Sequence, residues 1–419
     1  MRMIALSAAI ALTTAIAGEP NVPSRDSNVL TLDPNTAELN DDPNAAPDEI
    51  IAEHTLCIPL PEPVLTVITP ATDVPSFRYR LTFRLNELVD GDSWDYYQKF
   101  FAVDPNHPER VPDAALLREQ LALRPEEMNI EKLTAHFEML DEKTTLLEQA
   151  VRCRNVVWPK ITPPQRRPSY LRGWRYGYDE QPTVPSHLRL KIAEIPELLE
   201  KLDTAAMLLA AQARFWIARG DYDQASRWLR TALAQGRQMT RNAEAPLAMA
   251  GAAHLGRALN EIECWVQQPS APSLFRPLSD LPRPLVVFSN VFGTQRVEEF
   301  DSADILEVEP DFLSNAPHIV QSIERLRAAL QCIEAMRLHA ALNEGVFPHS
   351  LTEITDVRVP LDPMTRQAFV YERRNGVFIL LLDDDVRAGQ VEFRYRILRN
   401  PDDVMERKGI LGMPGMPMY

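Results

Sequence analysis

Glycine is scarce in this chain: 15 residues of 419, against 35 prolines. So few glycines argue against a glycine-rich barrel or a collagen-like repeat, while prolines gathered at segment borders suit helices separated by stiff connectors. Positive charge is short as well, with 44 Lys and Arg against 59 Asp and Glu and a net charge of −15. Such an acidic chain has little long-range attraction for nucleic acid or an anionic membrane, so no nucleic-acid partner is expected. Cysteine is confined to Cys57, Cys153, Cys264 and Cys332. They stand far apart with no Cys-x-x-Cys pair, which speaks against a structural zinc site. Their pairing stays open, and so does burial as free thiols, which the helical settings of Cys264 and Cys332 also suit. The sequence has no His-Glu-x-x-His, no Gly-x-Ser-x-Gly elbow and no Walker loop. After the N-terminus no run approaches the ~20 apolar residues of a membrane-spanning helix. No cofactor is expected.

What is present begins with an address. Arg2 precedes an apolar run from Met3 to Ala17, and Ala15-Ile16-Ala17 supplies small-x-small cleavage chemistry. Residues 1–17 therefore read as a signal peptide, and the mature chain as exported, periplasmic or extracellular. Residues 18–54, rich in Asn, Asp, Pro and Ala, read as a flexible acidic leader. Residues 55–93 are β-prone: Val64, Leu65, Val67 and Ile68 form one short run. Phe77, Tyr79, Leu81, Phe83 and Leu85 alternate with polar residues as a half-buried strand does. This stretch is expected either to extend a later sheet or to pack on helices.

From 94 to 310 the period is helical. Trp94–Phe101 and Ala114–Leu123 form short helices, Pro125-Glu126-Glu127 has the acidic first turn of another, and Leu133 to Val151 carry one long amphipathic helix to about Val157. Leu198, Leu202, Ala206, Leu209, Ala213 and Trp216 line one helix face. Gly220 then offers a stop, Asp221 a cap, and Ala225, Trp228, Leu229, Ala232 and Leu233 the inner face of a second helix. Leu247–Trp265, rich in small residues, suits close packing. Leu285–Phe300 is ambiguous between strand and helix. Residues 311–400 read as a small α+β module with a helix over Pro317–Leu342. A hairpin over Ala368–Leu382 turns at Asn375-Gly376, and a third strand runs through Val391, Phe393, Tyr395 and Ile397. Residues 401–419 read as a disordered tail. The fold class is mainly α: a helical-hairpin bundle followed by that module.

Three resemblances add to this. Gly220-Asp221-Tyr222 with Ala225, Leu229 and Ala232 resembles a tetratricopeptide helix pair over 198–240, although no second copy follows at the expected period. Ser273-Leu274-Phe275 with Asp280-Leu281-Pro282-Arg283-Pro284-Leu285, together with Trp174 and the C-terminal module, resembles uncharacterised secreted helical proteins abundant in planctomycete bacteria. That resemblance implies an architecture and no activity. Glu344-Gly345-Val346-Phe347-Pro348-His349-Ser350-Leu351, Pro360-Leu361-Asp362-Pro363, Tyr371 and the hairpin are similar to the globular end of type II secretion pseudopilins. The assembly helix of that family is missing, and Arg366 stands where it usually has glycine.

The candidate binding residues are Arg166, Arg167, Tyr170, Arg172, Trp174, Arg175, Tyr176 and Tyr178, where basic and aromatic side chains interleave with no acid between Lys160 and Tyr178. That composition stacks on and bonds to a partner; the alternative is a connector pinned to the bundle by Trp174 and its tyrosines. Asp383, Asp384 and Asp385 offer carboxylates to a calcium ion, a guess raised by the pseudopilin resemblance, or simply form a solvated turn. No catalytic residue is assigned. The leading expectation is an exported, non-enzymatic interaction or scaffold protein with protein partners in the cell envelope. The competing readings are an envelope-polymer hydrolase with a cleft near 166–180, for which Asp179 and Glu180 are the nearest carboxylates, and a calcium-dependent secretion accessory protein.

Overall fold

The computed structural model describes residues 66–72, 78–161, 189–190, 194–242, 245–287, 310–374, 377–382 and 391–397. The signal segment, the leader, the 166–180 connector, Asn375-Gly376, Asp383–Asp385 and the 401–419 tail lie outside these residues. The fold is mainly helical with a small β module.

The β-prone N-terminal stretch divides in two. Thr66–Ile68 forms β1, whose partner comes later in the chain. The alternating residues 79–84 are not a strand, and Leu85–Glu87 is a 3-10 turn with Leu85 82% exposed. Their alternation is genuine, since Tyr79 and Leu81 are buried, but the partner is a helix. The Ser226 hydroxyl takes the place of a neighbouring strand, accepting from the Arg80 amide at 3.4 Å and donating to the Arg80 carbonyl at 3.2 Å. A period of two reports burial on one side, whatever supplies that side. Val89–Asp92 then forms β2.

Helix α1 covers Ser93–Phe101 and α2 Ala114–Leu121, where the Asp113 carboxylate caps the Ala115 and Leu116 amides. Pro125–Glu127 closes as a separate 3-10 turn rather than opening a helix. The expected long helix is two: α3, Ile130–Met139, and α4, Asp141–Arg152. The break falls at fully buried Leu140, with φ −100° and ψ 7°. Bending there lets Leu133 and Phe137 on one arm and Leu147 and Val151 on the other all reach the core. Beyond α4 the chain turns extended: Cys153–Asn155 is β3, parallel to β2. Lys160–Ile161 is β4, paired in parallel with β5, Arg189–Leu190.

The central hairpin consists of α5, Ile195–Ala218, and α6, Tyr222–Thr240. Gly220 sits at φ 71°, a conformation that costs other residues about 1 kcal/mol, and lets the Asp221 amide reach back to the Trp216 carbonyl at 3.0 Å. The Asp221 side chain then accepts from the Gln224 amide at 3.1 Å, starting α6. Leu202, Leu209, Ala213, Ala225 and Leu229 are fully buried, each leucine contributing about 1.5–3 kcal/mol. Gln212, anomalous on an apolar face, accepts the Trp216 indole N–H at 3.3 Å. Helix α7, Ala245–Val266, lies against α6 through glycines: a Cβ on Gly251 would meet the Met239 Cβ at 2.6 Å and the Gly236 carbonyl at 2.7 Å. Arg214 locks α5 to α7, with Nε and Nη2 donating to the Glu261 carboxylate at 2.7 and 2.6 Å. Its Nη1 donates to the Leu121 and Leu123 carbonyls. Burial opposes the Arg214 charge, and Glu261 beside it more than offsets that, raising the pKa.

After the short α8, Phe275–Ser279, the long α9 runs Pro310–Leu342, starting before Pro317 and carrying Ile323, Leu330, Ile333 and Leu338 into the core. It also buries charge. Arg337 and Glu334, both 0% exposed, pair with each other, and Arg337 donates to the Thr69 carbonyl at 3.0 Å and the Ala271 carbonyl at 2.7 Å. Glu334 in turn accepts from the Ser273 hydroxyl and the Leu274 amide. Gly345, at φ 81°, ends α9 with its amide on the Ala340 carbonyl at 2.8 Å. Strands β6 (Val370–Arg374), β7 (Val377–Leu382) and β8 (Val391–Ile397) follow. The sheet order is β1-β8-β7-β6, antiparallel except that β1 runs parallel to β8, pairing Thr66 with Tyr395 and Ile68 with Ile397. The Asp362 carboxylate anchors the loop before the sheet to α9, accepting from Arg325 Nε at 3.0 Å and Nη2 at 2.7 Å. Among the described residues no helix is long and apolar enough to cross a membrane.

Candidate functional site

Helix α1 is built from aromatics. Trp94, Tyr97 and Phe100 are buried, and Phe101 is half-buried. The Ser93 hydroxyl at its start fastens the following extended segment, donating to the Val157 carbonyl at 3.2 Å and accepting from the Val157 amide at 3.1 Å. This sets the Trp158 ring against Tyr97, stacked at 5.0 Å and 28°, and 6.1 Å from Trp94. The result is a rigid aromatic wall. Burial pushes the Tyr97 hydroxyl above its ordinary pKa, so it stays protonated.

Facing the wall is the start of α5, where Pro196 occupies the first turn together with Glu197. Between them lies an open cleft of about 370 Å³, whose lining includes Trp94, Gln98, Phe101, Glu194, Glu197 and Lys201. Its lining joins aromatic and aliphatic side chains to charged ones. Lys201 Nζ is 2.5 Å from Glu197 Oε1, one helical turn on, and this hydrogen bond holds the Glu197 carboxyl below its usual pKa range. The volume is at the small end for ligand pockets. An open cleft with an aromatic wall and charged lips suits an aromatic or aliphatic side chain presented by an extended partner, with the lips reading polar groups on either side.

The residues singled out from sequence, Arg166, Arg167, Tyr170, Arg172, Trp174, Arg175, Tyr176, Tyr178 and Asp383–Asp385, are outside the described residues. What is described is the connector's two attachment points. β4 and β5 pair Lys160 with Arg189 and Ile161 with Leu190, so the chain leaves and returns side by side. Trp158 stands just before the departure and Glu194 just after the return. Sequence reading missed Glu194, Glu197 and Lys201. The available signal was the Glu-to-Lys i,i+4 spacing on a proline-led helix, which nothing in the sequence links to Trp94.

Elsewhere the ionisable groups tie elements together. Among the described residues no group of three or more His, Cys, Asp or Glu side chains gathers to hold a metal ion. His339 Nδ1 lies 3.6 Å from Asp356. Cys153, Cys264 and Cys332 are free thiols. Burial raises Cys153 to about 11 and Cys264 and Cys332 to about 12, far from a reactive nucleophile's range. The class that fold and cleft define is thus a mainly α-helical protein with an open aromatic cleft beside a tied connector. No protein-family model, curated protein or solved structure matches the chain.

Proposed function

We propose that this protein is an exported, non-enzymatic interaction or scaffold protein of the cell envelope. In this reading it holds a protein partner along the α1–α5 cleft and the adjoining basic-aromatic connector. The observation that carries the reading is the cleft itself, with a stiff aromatic wall and an open side; between Trp158 and Glu194 in the sequence lies a connector of binding-surface composition, whose described ends pair as β4 and β5. Export rests on the Met3–Ala17 run and its Ala-x-Ala end. The competing hydrolase reading takes Asp179 and Glu180 as the carboxylates nearest the connector in sequence, and the cleft adds Glu194 and Glu197. A glycosidase-type pair needs one ionised and one protonated carboxyl; the Lys201 hydrogen bond favours the ionised form of Glu197, which suits a base or nucleophile and supplies no general acid. The tetratricopeptide-like pair and the pseudopilin-like end are proposed as reused fold elements. A calcium role for Asp383–Asp385 predicts a rise in melting temperature on adding the ion.

The test is affinity capture from the native envelope fraction by the tagged mature chain. Alongside it go an Arg172→Ala, Trp174→Ala, Arg175→Ala variant and a Gln98→Lys, Lys201→Glu cleft variant. Each must match the wild type in circular dichroism and melting temperature. A partner retained by wild type and lost by both variants is expected. Equal capture by all three chains sinks the cleft-and-connector reading.

A further inference from the structure

Although the chain is acidic overall, one face of α6 is not. At about 100° per residue, Arg227, Arg230, Arg237 and Arg241 fall within about 80° of the helix circumference. Arg227 donates from Nε at 3.2 Å and Nη2 at 2.5 Å to one Glu148 oxygen, and Arg230 reaches Glu87 at 3.2 Å. Glu87 is shared with Arg80 at 3.5 Å, while Arg152 donates to its backbone carbonyl at 2.7 Å. Next to Arg237, Gln238 donates to the Val151 carbonyl at 3.0 Å, placing this end of α6 beside Arg152. Arg80, Arg227 and Arg230 thus share two carboxylates, Arg152 stands on the Glu87 backbone beside them, and Arg237 lies further along the same face. Arg154 and Asp90 form a separate pair nearby.

Arg237 shows the imbalance most clearly. Its side chain is half-buried, and its Nε is buried with no hydrogen-bond partner among the described residues. Burial and the charge of Arg241 both lower its pKa. The Arg230 Nε is likewise buried with no acceptor among the described residues. A guanidinium costs free energy to bury unless an acceptor meets it. Apolar contacts adjoin these arginines: Phe83 lies under Arg230 at 4.3 Å, and Leu85 is 82% exposed two residues on.

We propose that this arginine face docks a carboxylate-rich peptide segment of a partner protein, with an apolar side chain of that segment seated against Phe83 and Leu85. Guanidinium forks on this face already hold carboxylates, and the local excess of positive charge complements an acidic strand. A nucleic-acid backbone fits less well, since a chain of phosphates offers no aliphatic side chain to exposed Leu85 beside the arginines. The proposal rests on the chain being an interaction protein, but its site is not the cleft, so either can fail alone.

The test is fluorescence anisotropy of a labelled Glu/Leu peptide with the full chain at rising salt. Expected is binding that weakens with salt and falls about fivefold to tenfold in Arg237→Gln, the loss of roughly one charge-assisted contact. The Gln substitution removes no described partner, so its melting temperature should equal the wild type's. A second chain carries Asp41→Asn, Asp42→Asn, Asp48→Asn and Glu49→Gln in the leader. Binding by this chain and not by the wild type makes the acidic leader the occupant and overturns the proposal. Equal or tighter binding of a single-stranded oligonucleotide, unchanged affinity in Arg237→Gln, or no binding by either chain overturns it as well.

Discussion

Replacing Arg337 with methionine should destabilise the protein more than any single surface change. The arginine is fully buried, and it serves three parts of the chain: Glu334 on its own helix, the Thr69 carbonyl after β1 and the Ala271 carbonyl before α8. Methionine fills similar space and removes every donor. Glu334 would remain charged at 0% exposure with only the Ser273 hydroxyl and the Leu274 amide. Stranding one member of a buried pair costs about 3–5 kcal/mol. The Thr69 carbonyl, losing its donor, adds about 1 kcal/mol or more, while the Ala271 carbonyl keeps the Thr72 amide at 3.4 Å. A loss of at least about 4 kcal/mol is therefore expected, read as a fall in urea midpoint by circular dichroism. Changing Glu334 to methionine as well removes the stranded charge, so the double variant should be no less stable than Arg337→Met alone. Hydrogen exchange should show residues 66–72 losing protection first, since their anchor is gone. An Arg337→Met midpoint within about 1 kcal/mol of wild type would refute the reasoning. So would a double variant whose loss equals the sum of the single losses.

Three further outcomes are expected. Arg366 holds φ 59°, so Arg366→Gly should raise stability by about 0.5–1 kcal/mol in urea unfolding; an unchanged or lower midpoint counts against strain there. His254, buried between α5 and α7, is pushed down to about 3, chiefly by burial, with Asp203 raising it and Arg257 lowering it. The unfolded chain takes up this proton near pH ~6.5. The contribution of His254 is therefore complete above about pH 6.5 and drains away as pH falls towards 3. Wild type should lose about 2–3 kcal/mol more than His254→Gln between pH 7 and 4.5, and parallel stability profiles would dismiss the effect. Cys153, Cys264 and Cys332 should resist iodoacetamide at pH 8 in the native state and react once urea unfolds the chain. Rapid native labelling at any of the three, located by peptide mass, would contradict the burial described.

Sequence legibility followed locality. The α5–α6 hairpin was readable because helical period, stop glycine and capping aspartate all lie within one stretch, and each signal agrees with the others. The residues 79–85 were misread for the opposite reason: Tyr79 and Leu81 announce a buried side but not that Ser226 of a helix lines it. Leu140 breaks a pattern that runs on unbroken in sequence, since the two arms turn towards one core whose position only the assembled fold defines. Arg325, Glu334 and Arg337 are charged residues within α9, and nothing local marks them as buried, yet each is buried against a partner far along the chain or one turn away. The same holds for the site. Trp94 to Phe101 stood out as an aromatic helix turn, whereas the facing Glu197–Lys201 pair is ordinary helix-surface chemistry until tertiary packing sets it opposite.

The parallel seam between β1 and β8 makes the fold a test of its own completeness. Thr66 is synthesised long before its strand partner Tyr395, so β1 lacks this partner until β8 has been made. Distant pairings of this kind close slowly, because chain entropy must be lost before the contacts reward it. A product broken off upstream of Val391 would keep its helices but carry a bare strand edge, the feature by which incomplete chains aggregate or are recognised and cleared.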